Sequence, residues 1–158
     1  MSSLNLIGYL TESIEATRED YVNDLQACTP EMLSFRPEKG GRSIADFTYE
    51  VAVVNNRIAA RMRGEDPGPW PFEGWVTAPE DMQSTEALVN AINESANAVT
   101  EALKGQTEEK LLEEVTFGNS SPTSLFKLAA MVPYHTGYHD GQMNYIQSLH
   151  GDQDVHWK

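Results

Sequence analysis

His135 and His139 stand four residues apart in a segment whose apolar residues repeat with a helical period. That spacing stacks the two imidazoles about one turn apart on one face, where both can ligate a single ion. Two hydrogen-bonded core histidines produce the same spacing, so a third group has to decide. Glu50 is at helical distance from Phe47 and Val54, on a stripe that also carries Ile44, Val51 and Ile58. A carboxylate is thus aimed where a hydrophobe belongs. A lone buried carboxylate is strongly unfavourable unless it is protonated, paired or bound to a cation. Glu50, His135 and His139 are therefore the candidate ligands of a divalent metal, with Gln142 and Tyr138 as candidates for holding a bound water or substrate. In the competing reading no metal is present. Glu50 then bonds a histidine as an acid and base pair, or pairs with an arginine such as Arg57 or Arg61.

Other reactive residue types receive structural readings. Gly141 is expected to allow close helix contact. Tyr145 reads as a core or rim aromatic, His150 and His156 as exposed tail residues, and the many surface carboxylates as a solvated face. Cys28 has Asp24 nearby and no basic partner in sequence, so no activated thiolate is expected.

Helices must position these groups. Leu4, Ile7, Leu10, Ile14, Tyr21, Leu25 and Cys28 mark a first helix over residues 4–28, which Thr29-Pro30 ends. Pro37, Gly40 and Gly41 keep the following connector irregular. Ser43 caps a second helix running to about residue 63, with Asp46 in its first turn, where the helix dipole favours an anion. Residues 64–80 contain four prolines, Trp70, Phe72 and Trp75. They read as an ordered crossover whose aromatics pack on the bundle and which is placed to cover the site. A third helix spans 84–104 on Leu88, Ile92, Val99 and Leu103, and residues 107–119 are mixed, with a helical turn at Leu111-Leu112. Ser121-Pro122 opens a fourth helix to about residue 149, kinked by Pro133, with Leu125, Leu128, Val132, His135, His139, Gln142, Tyr145, Ile146 and Leu149 on one face. The expected fold is all-α: one domain over residues 1–158, a four-helix bundle with a long ordered crossover between helices two and three.

Composition narrows the function classes. The 158 residues are enough for a sizeable core without disulfide support, and a lone cysteine excludes both an internal disulfide and a cysteine-ligated zinc ribbon. Eleven basic against twenty-four acidic residues give a net charge of -13, which repels nucleic acid and anionic membranes. No stretch approaches the roughly 20 apolar residues of a membrane span. A cytoplasmic protein acting on a small molecule is expected.

Two stretches carry a family resemblance. Ser43-Ile44-Ala45-Asp46-Phe47-Thr48-Tyr49-Glu50 precedes His135-Thr136-Gly137-Tyr138-His139-Asp140-Gly141-Gln142. The pattern resembles the DinB-like superfamily, which includes YfiT-type hydrolases and bacillithiol- and mycothiol-dependent transferases. Its members typically place a histidine seven residues after the capping serine and later carry H-x-x-x-H-x-G-Q. Glu50 takes the place of that first histidine. The resemblance implies a homodimeric four-helix bundle with a divalent ion, zinc or nickel before iron or manganese. It also implies thiol transfer, isomerisation or hydrolysis on a small molecule, with a low-molecular-weight thiol as partner. Two histidines and a carboxylate still bind such ions. Equally, the change at Glu50 marks a bundle that has lost metal and catalysis and only binds a ligand or serves as a scaffold.

Overall fold

The computed structural model describes residues 5–118 and 121–157; the expected helix residue Leu4 and loop residue Asn119 lie outside them. Helix α1 spans Leu6–Ala27, and the Asn5 side chain caps it by accepting from the Gly8 amide. Thr29-Pro30 ends α1 but also starts a short helix, α2, Pro30–Ser34. The connector is therefore partly helical, because proline is favourable at a first helical position while Thr29 caps the Met32 amide. Helix α3, Ile44–Met62, begins with a reciprocal box in which Ser43 and Asp46 each accept from the other's amide. Helix α4, Thr85–Lys104, is capped by Ser84, and a single turn, α5, covers Glu108–Leu111.

The last long helix, α6, spans Leu125–Leu149 and continues through Pro133. It starts later than the Ser121-Pro122 signal implies. Thr123 and Ser124 are drawn into a two-residue antiparallel ladder (β1 Glu114–Val115, β2 Thr123–Ser124) that holds them extended. Ser124 then caps the helix through the Lys127 amide.

Helices α1, α3, α4 and α6 form a four-helix bundle. Helices α4 and α6 each pack against both α1 and α3, so the sequence neighbours α1 and α3 face one another across the diagonal. A buried hydrogen bond of 2.7 Å between Tyr21 Oη and Thr48 Oγ1 joins that diagonal. The interior divides into two apolar clusters. One gathers around Ile58, Val99, Leu103 and Leu128; the other gathers around Phe47, Leu88, Met143 and Ile146. Among the described residues no helix is long and apolar enough to cross a membrane.

The long crossover between α3 and α4 is ordered, and two of its aromatics pack on α3 as expected, Phe72 meeting Tyr49 edge-on at 6.2 Å and the Trp70 ring lying 5.7 Å from the Arg57 guanidinium carbon; Trp75 does not. Val76 and Ala78 are buried while Trp75 is 70% exposed, since the small residues fit beneath the segment and the indole is left at its edge. Asp46 fastens it: Oδ1 accepts from the Ala78 amide at 3.0 Å, and Oδ2 pairs with Arg36 at 2.6 Å. Arg57 donates to the carbonyls of Pro67 and Gly68, and Arg61 pairs with Asp66. Both arginines are thus spent on the crossover and not on Glu50.

The buried face of α6 is also turned from the expected one. Tyr145 and Leu149 are exposed, whereas Thr136, Asp140, Met143 and Gln147 are buried. Contact with α1 causes this, because Asn144 and Gln147 donate to the carboxylate and carbonyl of Asp24. Asp24, Asp46 and Asp140 are buried, so the acidic residues are not all a solvated face. His150 and His156 are half-buried rather than exposed. His150 sits edge-on to Phe35 and donates to the Ile146 carbonyl, and His156 reaches Asp152 at 3.1 Å. Cys28 is buried, and burial pushes its thiol up to about 12, so it is a packed apolar group rather than a nucleophile.

Candidate metal centre

Glu50 lies near the middle of α3, and His135 and His139 lie on successive turns of α6. The packing of α3 on α6 brings them together. His135 Nε2 and His139 Nε2 are 3.1 Å apart, and Glu50 Oε1 is 3.5 Å from the first and 3.9 Å from the second. One donor atom from each residue falls within 4.8 Å of the others. His139 is buried and held from two sides. The Phe47 ring stacks on it with centroids 5.2 Å apart and planes 7° from parallel, and Tyr138 meets it edge-on at 5.0 Å. Tyr138 is otherwise exposed.

The protonation pattern follows from hydrogen bonding. Gln142 Oε1, which can only accept, lies 2.8 Å from His139 Nδ1. His139 therefore carries its proton on Nδ1, and its Nε2 lone pair faces the cluster. Burial pushes this imidazole down to about 4, only partly offset by Gln142, which keeps it neutral near pH 7 and able to act as a ligand. Among the described residues His135 Nδ1 is buried without a partner. With its proton on that atom, the Nε2 lone pairs of both histidines and Oε1 of Glu50 converge on one point. A cation of the size and charge of a divalent ion fits that point, and the two-nitrogen, one-oxygen donor set suits zinc, nickel, iron or manganese.

Glu50 has a second partner. Its Oε2 forms an ion pair with Arg42 Nη2, and both side chains are largely shielded from solvent. Burial by itself would raise the Glu50 carboxyl, but the approach of His135 and the charge of Arg42 outweigh it and hold the group below the ordinary carboxylate range. Arg42 was not among the arginines suggested by sequence. It sits one residue before the cap of α3, where helical spacing says nothing about which way a side chain points. The signal available was the need of Glu50 for a counter-ion, together with the nearest basic residues upstream of it.

The cluster opens into a cavity of about 710 Å³, within the usual range for small-molecule sites. Arg42, Trp75, Tyr138, Gln142, Tyr145 and Ile146 are among its walls. The crossover does reach the site, through Trp75, whose ring lies 4.9 Å from the Arg42 guanidinium carbon. Gly141 also lines the cavity, and a Cβ added there would meet nothing within 4 Å. Its role is to leave space, not to permit close helix packing. Asp140 points away from the cavity toward α1. There burial and the neighbouring Asp24 raise its carboxyl. Asp24 Oδ2 meanwhile accepts from Asn144 at 2.8 Å and from the Trp157 indole at 2.7 Å.

A sequence profile described as the DinB superfamily matches residues 13–143, a span that contains α3 with Glu50 and α6 through His139 and Gln142. The chain belongs to the DinB superfamily. Solved structures share this fold, among them the following three. A conserved protein from Enterococcus faecalis aligns with a TM-score of 0.71 at 15% identity, covering 92% of this chain and 97% of its own. A DinB-like protein from Bacillus cereus gives 0.69 at 18% identity, covering 90% and 91%. A DinB-like protein from Bacillus subtilis gives 0.63 at 13% identity, covering 93% and 95%. At these identities the likeness concerns the fold. No curated protein matches the chain. In this DinB chain the serine of the first motif caps α3, and the residue seven positions later, Glu50, faces both histidines of the second motif.

Proposed function

We propose that the chain is a metal-dependent enzyme in which Glu50, His135 and His139 hold one divalent ion, zinc or nickel before iron or manganese. The supporting observation is the convergence of two imidazole Nε2 atoms and one carboxylate oxygen beside a cavity of about 710 Å³. When bound, such an ion lowers the pKa of a coordinated thiol or water and so supplies a nucleophile at neutral pH. Gln142 orients His139, and Arg42 holds Glu50 so that a single oxygen faces the histidines. Phe47 and Tyr138 keep water from the buried imidazole. The cavity holds a small electrophile for thiol transfer, isomerisation or hydrolysis. Family membership supports the ligand positions, and the chemistry of the donor set supports the metal.

One observation favours a second reading. The pairing of Arg42 with Glu50 already neutralises the carboxylate, so the bundle could be a metal-free binding protein. Metal content by plasma mass spectrometry, on untagged wild type beside His139→Ala purified without added metal or chelator, separates the two. The enzyme reading expects about one equivalent in the wild type and its loss in the variant. A wild type that takes up no zinc, nickel, iron or manganese would sink it.

A further inference from the structure

Resting on that reading, we infer that Arg42, backed by Trp75, is the anion-recognition residue of the cavity, and that the site takes a small molecule with an anionic oxygen group on an apolar, ring-sized body. The two oxygens of Glu50 are divided: Oε1 faces the histidines and Oε2 takes Arg42 Nη2. Arg42 therefore need not move for the ligand cluster to be used. A guanidinium has five N–H donors in a planar fork; among the described residues Arg42 is paired through Nη2 alone, Nε is buried beyond the reach of a ligand, and Nη1 is neither hydrogen-bonded nor shut off from solvent. The fork is thus incompletely satisfied in the wall of a cavity that a ligand can enter.

Charge points the same way. Arg42 and Glu50 balance one another in the protein alone. A divalent ion on Oε1 would more than cancel Glu50 and leave the guanidinium uncompensated. Among the described lining residues the other carboxylate is Glu38, which is exposed. The site would then be a positive pocket in a chain of net charge -13, and an anion is the ligand that restores balance. Trp75 covers one face of the guanidinium and restrains it, while most of the indole remains free at the mouth. Phe47, Tyr138, Tyr145 and Ile146 supply the apolar wall for the body of the molecule.

The test is calorimetric titration of the full chain, metal-loaded and chelator-treated, with phenylacetate, phenyl phosphate and the neutral phenylacetamide. Wild type, Arg42→Met and Arg42→Lys are compared, with thermal unfolding as a check on folding. The expected result is that at least one anion binds roughly tenfold or more tightly than the amide, a fold-change typical of a charge-assisted fork. The stronger anion identifies the head group as carboxylate or phosphate. Arg42→Met removes the preference, and Arg42→Lys keeps only part of it, because an ammonium offers charge without the fork. If Arg42→Met fails to fold, the partial loss in Arg42→Lys carries the test. Equal binding of anion and amide, binding of no probe, or a preference that survives Arg42→Met overturns the inference. So does a preference that disappears on chelation while surviving Arg42→Met, which would place the anion on the metal. Metal uptake with no anion preference refutes the Arg42 site alone; an Arg42-dependent preference without metal uptake refutes the metal reading alone.

Discussion

Around Ile58, Val99, Leu103 and Leu128 the bundle buries an apolar cluster, whereas around Phe47, Met143 and Ile146 the apolar residues share the interior with Asp24, Asp46, Asp140, His139 and Gln147. The first region gains its stability from area removed from water, which is tolerant of direction and needs no partners. In the second, each buried polar group demands a specific neighbour. Asp46 has the Ser43 and Ala78 amides and Arg36; Asp24 has Asn144 and Trp157 on its carboxylate and Gln147 on its carbonyl. The difference teaches where the candidate site sits in this fold: on the region that carries polar residues at a cost, against a region that stabilises the bundle without contributing to the site.

Ile58→Ala offers the largest way to sharpen that contrast. Ile58 is fully buried in the apolar cluster, so truncation should lower stability by about 2–5 kcal/mol in urea denaturation. Metal content per folded molecule should not change. A parallel loss of metal would mean that the two regions are not separable.

Asp46→Ala should cost less, about 1–3 kcal/mol, through the lost helix cap and the unpartnered Ala78 amide. Asp46→Asn, which still accepts hydrogen bonds, should recover part of it. Limited proteolysis should then cut preferentially at the C-terminal end of the crossover, around residues 75–80, because Asp46 ties that end to α3 while Arg57 and Arg61 hold its start. Uniform cutting along the chain would argue against that role.

The smallest expected effect is a pH dependence at Asp140. Its folded carboxyl is raised above the ordinary 3.8 by burial and Asp24. The folded state therefore holds a proton that the unfolded chain gives up, and stability from this group is present below about pH 4 and lost as pH rises through neutrality. Asp140→Asn keeps a donor toward Asp24 without titrating. Its stability relative to wild type should grow from pH 5 to pH 9 by on the order of 1 kcal/mol. Denaturation curves that differ by the same amount at both pH values would show that the two carboxyls are not coupled.

How far each region could be read from the sequence follows the same division. The helix cap at Ser43, the long helices and the stripe through Phe47, Val51 and Ile58 were legible, because capping and periodicity are local rules. The start of α6 was misplaced, since pairing with the two-residue strand β1, which carries no alternating pattern to announce it, holds Thr123-Ser124 extended. The exposure of Tyr145 and the burial of Asp140 and Gln147 depended on how α6 rotates against α1, which periodicity along one helix leaves open.

The candidate site divides in the same way. The spacing of His135 and His139, and the placement of Glu50 on an inward stripe, were determined by the sequence alone, because 3.6 residues per turn fix which side chains share a helix face. That Glu50 meets those histidines, that Arg42 rather than Arg57 or Arg61 is its counter-ion, and that Trp75 flanks it were decided only by the tertiary structure. Those contacts join residues on different elements, and their geometry is set by helix packing and by the course of the connectors, which obey no repeat.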